Sequence, residues 1–185
     1  MPQRRLKRNE LSSGEIRHLL TTTRHPVGLA DTIAKERGPK AASKLLLIAE
    51  QQTKAPWLKA HTNYWPRVGG AAFHTSNYFE RAGQHKEGAA LLSTFGQHVV
   101  AARLLEKGGH TELAAKAHEK AARVWLKERK YYQAAHAFEK AGKLLDAMTA
   151  YKRDAANAKN PIDQEESLNE AARLAKVTKS RWQRK

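Results

Sequence analysis

The sequence predicts an all-α protein built from stacked helical hairpins. Three observations carry this expectation. Apolar residues recur at helical spacing from about residue 11 onward, and no segment sustains the period-two alternation of a β-strand. From residue 71, short Gly-bearing connectors separate amphipathic segments of similar length. At 185 residues the chain can bury a core without cross-links. It has no cysteine, which excludes a disulfide framework, a thiolate metal site and a cysteine nucleophile.

Ser12-Ser13-Gly14-Glu15 has the spacing of a capping box and opens a short helix to about Thr22. His25-Pro26 breaks it. Gly28 to Arg37 forms a second short helix ended by Gly38, and Pro39 fits the first turn of a third that runs to about Gln52. The apolar set of that third helix is Ala42, Leu45, Leu46 and Ala49. Pro56 opens a further short helix that Pro66 ends, and Gly69-Gly70 marks a turn. Helices over 71–82, 85–95, 97–108, 110–129, 131–141 and 143–158 follow. Asn160-Pro161-Ile162-Asp163 then starts the last helix, with Asn as N-cap, Pro at the first helical position and Asp where the helix dipole favours an anion. It runs to about Ser180.

The turns repeat. Phe79-Glu80-Arg81-Ala82-Gly83, Leu105-Glu106-Lys107-Gly108-Gly109 and Phe138-Glu139-Lys140-Ala141-Gly142 each read as a helix end followed by a glycine suited to a left-handed C-cap. Laying 82–114 over 115–147 without gaps gives 9 identities in 33, among them Ala89 with Ala122, Ala101 with Ala134 and Glu106 with Glu139. Two helices per 33 residues with small residues at the contacts resembles the tetratricopeptide repeat. Ala122 and Trp125 match its small residue and following aromatic, and Ala134, Phe138 and Ala141 match its second helix. The first unit keeps Ala89, Leu92, Ala101 and Leu105 but has Gly108 at the last small position. Neither unit has the family's inter-repeat proline or leading tryptophan, and other alanine-rich hairpin repeats share much of this pattern. The resemblance implies a right-handed stack of antiparallel hairpins with a peptide-binding groove, and no chemistry. The domain organisation expected is a basic disordered tail over 1–10, a helical segment over 11–70 that packs on the stack, a repeat body over 71–180 closed by a capping helix, and a basic tail over 181–185.

The chain carries 34 Lys+Arg against 18 Asp+Glu, a formal +16. Residues 1–44 hold 10 and 4 of these and residues 171–185 hold 6 and none, so 12 of the 16 excess charges sit on 59 terminal residues. Such ends suit a polyanion, either nucleic acid or an anionic membrane face. The densest basic positions are Arg4, Arg5, Lys7 and Arg8 at one end, and Lys179, Arg181, Arg184 and Lys185 around Trp182 at the other. Between them, residues 51–79 have no Asp or Glu and interleave Lys54, Lys59 and Arg67 with Trp57, Tyr64 and Trp65. Cations there would neutralise phosphate and rings would stack on unpaired bases. The same aromatics share one helical face with residue 61, which also suits a core stripe.

Nothing in the chain calls for an enzyme. No two of the nine histidines lie three or four apart, and Glu15-x-x-His18 has no second arm for a di-metal site. Phosphate-loop, dinucleotide and nucleophile-elbow motifs are absent. The basic start lacks a following apolar core, and the longest uncharged run, 88–102, is too short and polar to span a bilayer, so a cytoplasmic location is expected. The function expected is a non-enzymatic scaffold that contacts RNA or DNA, without cofactor or metal. The alternative is an adaptor whose groove binds an acidic peptide or helix.

Overall fold

A computed structural model describes residues 11–22, 26–52 and 70–182. Among the described residues there are ten helices and no strand: α1 Ser13–Thr22, α2 Pro26–Arg37, α3 Pro39–Gln52, α4 Gly70–Arg81, α5 His85–Thr94, α6 His98–Lys107, α7 Thr111–Lys127, α8 Tyr131–Lys140, α9 Leu144–Asn157 and α10 Pro161–Trp182. The chain is therefore all-α, and within each compact unit most consecutive helices pack on one another. The chain divides into two compact units, Met1–Gly109 and His110–Lys185. The helix expected between Pro56 and Pro66 lies outside the described residues, as do residues 1–10 and the last three of the C-terminal tail.

In the first unit the capping box forms as its spacing requires. The Ser12 backbone N–H donates to Glu15 Oε2 at 2.7 Å and the Glu15 N–H donates to Ser12 Oγ at 3.1 Å. Those bonds, with Arg37 Nη1 3.3 Å from the carboxylate, hold Glu15 below the usual carboxylate range, and they account for its place beside His18. Pro26 is the first residue of α2, where a proline costs no helix hydrogen bond. Ala42, Leu45, Leu46 and Ala49 are buried on α3, and so are Ala41, Ser43 and Leu47. The buried face is wider than one stripe because α3 packs against α2 on one side and α4 on another. Glu50 Oε1 accepts the Ala71 N–H at 3.2 Å, so a side chain of α3 satisfies a donor in the first turn of α4. Tyr78 donates its hydroxyl to Asp31 Oδ1 at 2.6 Å and ties α4 to α2.

The 33-residue offset appears in the helix boundaries. Helix α6 spans His98–Lys107 and α8 spans Tyr131–Lys140, ten residues each, with starts 33 apart. Ala101, Ala102, Leu104 and Leu105 are buried on α6, and Ala134, Ala135, Ala137 and Phe138 are buried at the equivalent positions of α8. The expected glycines at 83, 109 and 142 all have positive φ. Ala101, Ala114, Ala121 and Ala134 are buried as close-contact positions, whereas Ala141, at the C-cap of α8, stays half-buried. The first helices of the two hairpins differ more: α5 has ten residues and α7 seventeen.

In the second unit Ala122, Phe138, Ala147, Tyr151, Ala171 and Leu174 belong to one core drawn from α7 to α10, with Trp125 packed half-buried against it. Helix α10 closes that core as its capping helix. At its start the Asp163 N–H donates to Asn160 Oδ1 at 2.8 Å and Asn160 Nδ2 donates back to Asp163 Oδ2 at 2.7 Å, which is the N-cap the sequence spells.

Candidate functional site

Helix α10 is segregated by charge. Asp163, Glu165, Glu166 and Glu170 occupy its first half, and Arg173, Lys176, Lys179 and Arg181 its second. That order complements the helix dipole, positive at the N-terminus and negative at the C-terminus. Of the residues expected to bind a polyanion, Lys179 is exposed on this second half, one turn after exposed Lys176. Arg181 and Trp182 form the end of α10, so the helix continues into the stretch expected to be a tail. Arg4, Arg5, Lys7, Arg8, Lys54, Trp57, Lys59, Tyr64, Trp65, Arg67, Arg184 and Lys185 lie outside the described residues.

A groove of about 590 Å³ lies along α8, α9 and α10, lined by Tyr132, His136, Glu139, Lys140, Tyr151, Glu170 and Arg173. Arg173 is its organising residue. Its Nη2 donates to both oxygens of Glu139 at 2.7 and 2.8 Å, and its Nε donates to Glu170 Oε2 at 2.8 Å. The Glu139 bond, then the Glu170 bond, push the guanidinium above its usual range, so Arg173 is charged at any ordinary pH. Its charge is already matched by two carboxylates, which leaves little for an acidic ligand.

Next to it stand two tyrosines in edge-to-face contact, Tyr132 and Tyr151, with centroids 5.6 Å apart and planes at 77°. Tyr132 donates its hydroxyl to Glu166 Oε1 at 2.9 Å, and that bond chiefly raises its phenol. Tyr151 is buried, and burial, followed by the charges of Glu139 and Glu170, pushes its phenol up to about 12. Asp154 ties the three helices together: Oδ1 accepts the Tyr132 backbone N–H at 3.1 Å and Oδ2 accepts the hydroxyl of buried Ser167 at 2.7 Å.

In the sequence Glu139 and Lys140 stand out only as part of a repeated turn, and nothing there joins the groove residues into a site. Glu139 and Arg173 are 34 apart in sequence, and so are Tyr132 and Glu166. A separation of about one repeat is the signal that would have paired them, since it joins the second helix of one hairpin to the matching level of the next element.

Among the described residues no group of three His, Asp or Glu side chains is placed to hold a metal ion, and no helix is long and apolar enough to cross a membrane. Comparison with protein-family models, curated proteins and solved structures finds no match to this chain.

Proposed function

We propose that this protein is a non-enzymatic helical-repeat scaffold that contacts RNA or DNA through its basic ends and its acid-free aromatic stretch. The observation that carries the reading is the distribution of charge. Residues 171–185 hold six Lys+Arg and no acid, and they begin on a helix anchored in the core by Ala171 and Leu174. Cations presented from a fixed helix neutralise phosphate at a smaller entropic cost than cations on a loose chain. The matched boundaries and buried sets of α6 and α8 support a tetratricopeptide-like repeat as the scaffold. A cytoplasmic location belongs to the same reading.

Binding of an acidic peptide in the groove is less well supported, because Arg173 is committed to Glu139 and Glu170. The test is a variant lacking residues 1–9 with Lys179, Arg181, Arg184 and Lys185 replaced by Gln. It should unfold like the parent and bind a labelled single-stranded oligonucleotide at least tenfold more weakly. Undiminished binding would overturn the assignment to the ends.

A further inference from the structure

The stretch between the basic ends is nearly balanced in total charge, yet α7 is not balanced around its circumference. Ala114, Ala117, His118, Ala121 and Ala122 are buried and define its core face. On the opposite face Lys116, Lys120, Arg123 and Lys127 are partly or fully open to solvent. Their spacing of four, three and four residues keeps them on one stripe, about 16 Å long at the helical rise. That length matches the axial rise of about five phosphates on one nucleic-acid strand.

Acids near the stripe offset it only in part. Among the described residues, Lys116, Lys120 and Lys127 form no ion pair. Glu119, at the edge, is shared: Arg123 Nη2 lies 2.7 Å from Oε1 and Lys143 Nζ 3.9 Å from Oε2. Glu112 sits in the first turn, and Glu128, beyond the helix end, pairs with Lys130 at 2.8 Å. Like charges four apart on a helix repel, so the stripe weakens the helix that carries it.

The scaffold does not require these cations either. The positions 33 residues earlier are Gly83, Glu87, Ala90 and Thr94, with no cation among them. The core face repeats between the two hairpins and the basic face does not. Leu113 and Val124 flank the stripe and are 41% and 39% exposed, which adds apolar surface beside the charges.

We infer that the outer face of α7 is a nucleic-acid contact surface, with Lys116, Lys120 and Lys127 neutralising backbone phosphates on either side of Arg123, which Glu119 already pairs. This rests on the nucleic-acid reading above and adds to the ends a surface within the repeat body.

The experiment compares three full-length proteins: the parent, Lys116→Gln/Lys120→Gln/Lys127→Gln, and a control with the same charge change elsewhere, Lys35→Gln/Lys86→Gln/Lys159→Gln. Labelled oligo(dT) and oligo(U) of about twenty nucleotides are titrated over a range of salt, with polyglutamate as competitor. The stripe variant should unfold at or above the parent's temperature and bind at least tenfold more weakly. Its log Kd against log[salt] slope should fall by about 2, at roughly 0.7 for each phosphate that is no longer neutralised. The control should change by less than threefold. Preference for one oligonucleotide assigns RNA or DNA. Stripe and control behaving alike, with the parent binding, would overturn this inference and leave the ends as the contact. A parent that binds neither oligonucleotide would overturn both readings, and equal displacement by polyglutamate would point to an acidic protein instead.

Discussion

Gly88 lies directly against Phe79. A Cβ at position 88 would stand 2.5 Å from both Cβ and Cγ of Phe79 and 2.7 Å from Leu104 Cδ2. The crossing of α5 over α4 and α6 therefore depends on the absence of one carbon. Alanine is favoured over glycine inside a helix by about 1 kcal/mol, but overpacking against a ring and a stiff Cβ costs about 1–3 kcal/mol. Gly88→Ala should therefore destabilise. Gly28 of α2 has nothing within 4 Å of its would-be Cβ, so Gly28→Ala should stabilise by about 0.5–1 kcal/mol, a rise of about 2–3 °C in Tm. Thermal melts of the two variants should move in opposite directions; a Gly88→Ala protein that melts higher than the parent would contradict this packing.

Arg129 occupies the place that Gly96 occupies 33 residues earlier. Both are in the left-handed region, with φ 58° and 76°. Both sit in the same terminal motif: the Arg129 N–H donates to the Leu126 carbonyl and the Lys130 N–H to Trp125, as Gly96 does to Ser93 and Gln97 to Leu92. The conformation costs a side-chain-bearing residue about 1 kcal/mol. Arg129→Gly should raise stability by roughly that amount in urea unfolding, and Arg129→Val should lower it by more.

Asp154 is the acceptor for two donors from neighbouring helices, one of them on buried Ser167. Removing it strands the hydroxyl of Ser167 and opens the exposed Tyr132 N–H to water, at a cost of about 1–3 kcal/mol for the buried group. Asp154→Asn keeps one acceptor and should lose less than Asp154→Ala. Equal losses from the two would show that volume, and not hydrogen bonding, is what Asp154 supplies.

Tyr151 predicts an alkaline limit. Burial, then the charges of Glu139 and Glu170, oppose the phenolate and push the phenol up to about 12 from its ordinary value of 10.0. The folded state holds this proton more tightly than the unfolded state. The stabilisation is therefore complete below pH 10 and is lost between about pH 10 and 12, at most about 2–3 kcal/mol. Tyr151→Phe cannot ionise. The stability gap between parent and variant should shift towards the variant from pH 8 to pH 11, and parallel curves would contradict the shift.

The aromatic stretch gives a two-way discrimination. If Trp57 and Trp65 stack on bases, Trp57→Ala and Trp65→Ala should weaken oligonucleotide binding severalfold and leave Tm nearly unchanged. A large loss of Tm without a specific binding defect would assign them to a core.

The helix order was legible because each boundary is written locally: the Ser12–Glu15 box, Asn160–Asp163, and glycines at 83, 109 and 142 where a left-handed cap is needed. The repeat was legible because Ala101 and Ala134, or Leu105 and Phe138, meet the same packing demand 33 residues apart. What was not legible depends on register between helices. Nothing near Arg173 in sequence says that Glu139 will meet it, and Asp154 serves Tyr132 and Ser167 from a helix between theirs. The basic face of α7 was hidden by arithmetic, since Glu112, Glu119 and Glu128 offset its cations in a sum, while on the surface Lys116, Lys120 and Lys127 form no ion pair among the described residues.

The central claim is that the charge surplus serves a nucleic acid. Its most direct test is fluorescence anisotropy of a labelled single-stranded oligonucleotide titrated with the intact chain at physiological salt. Saturable binding tighter than about 100 µM is expected, with log Kd linear in log[salt]. No anisotropy change at that concentration would contradict it.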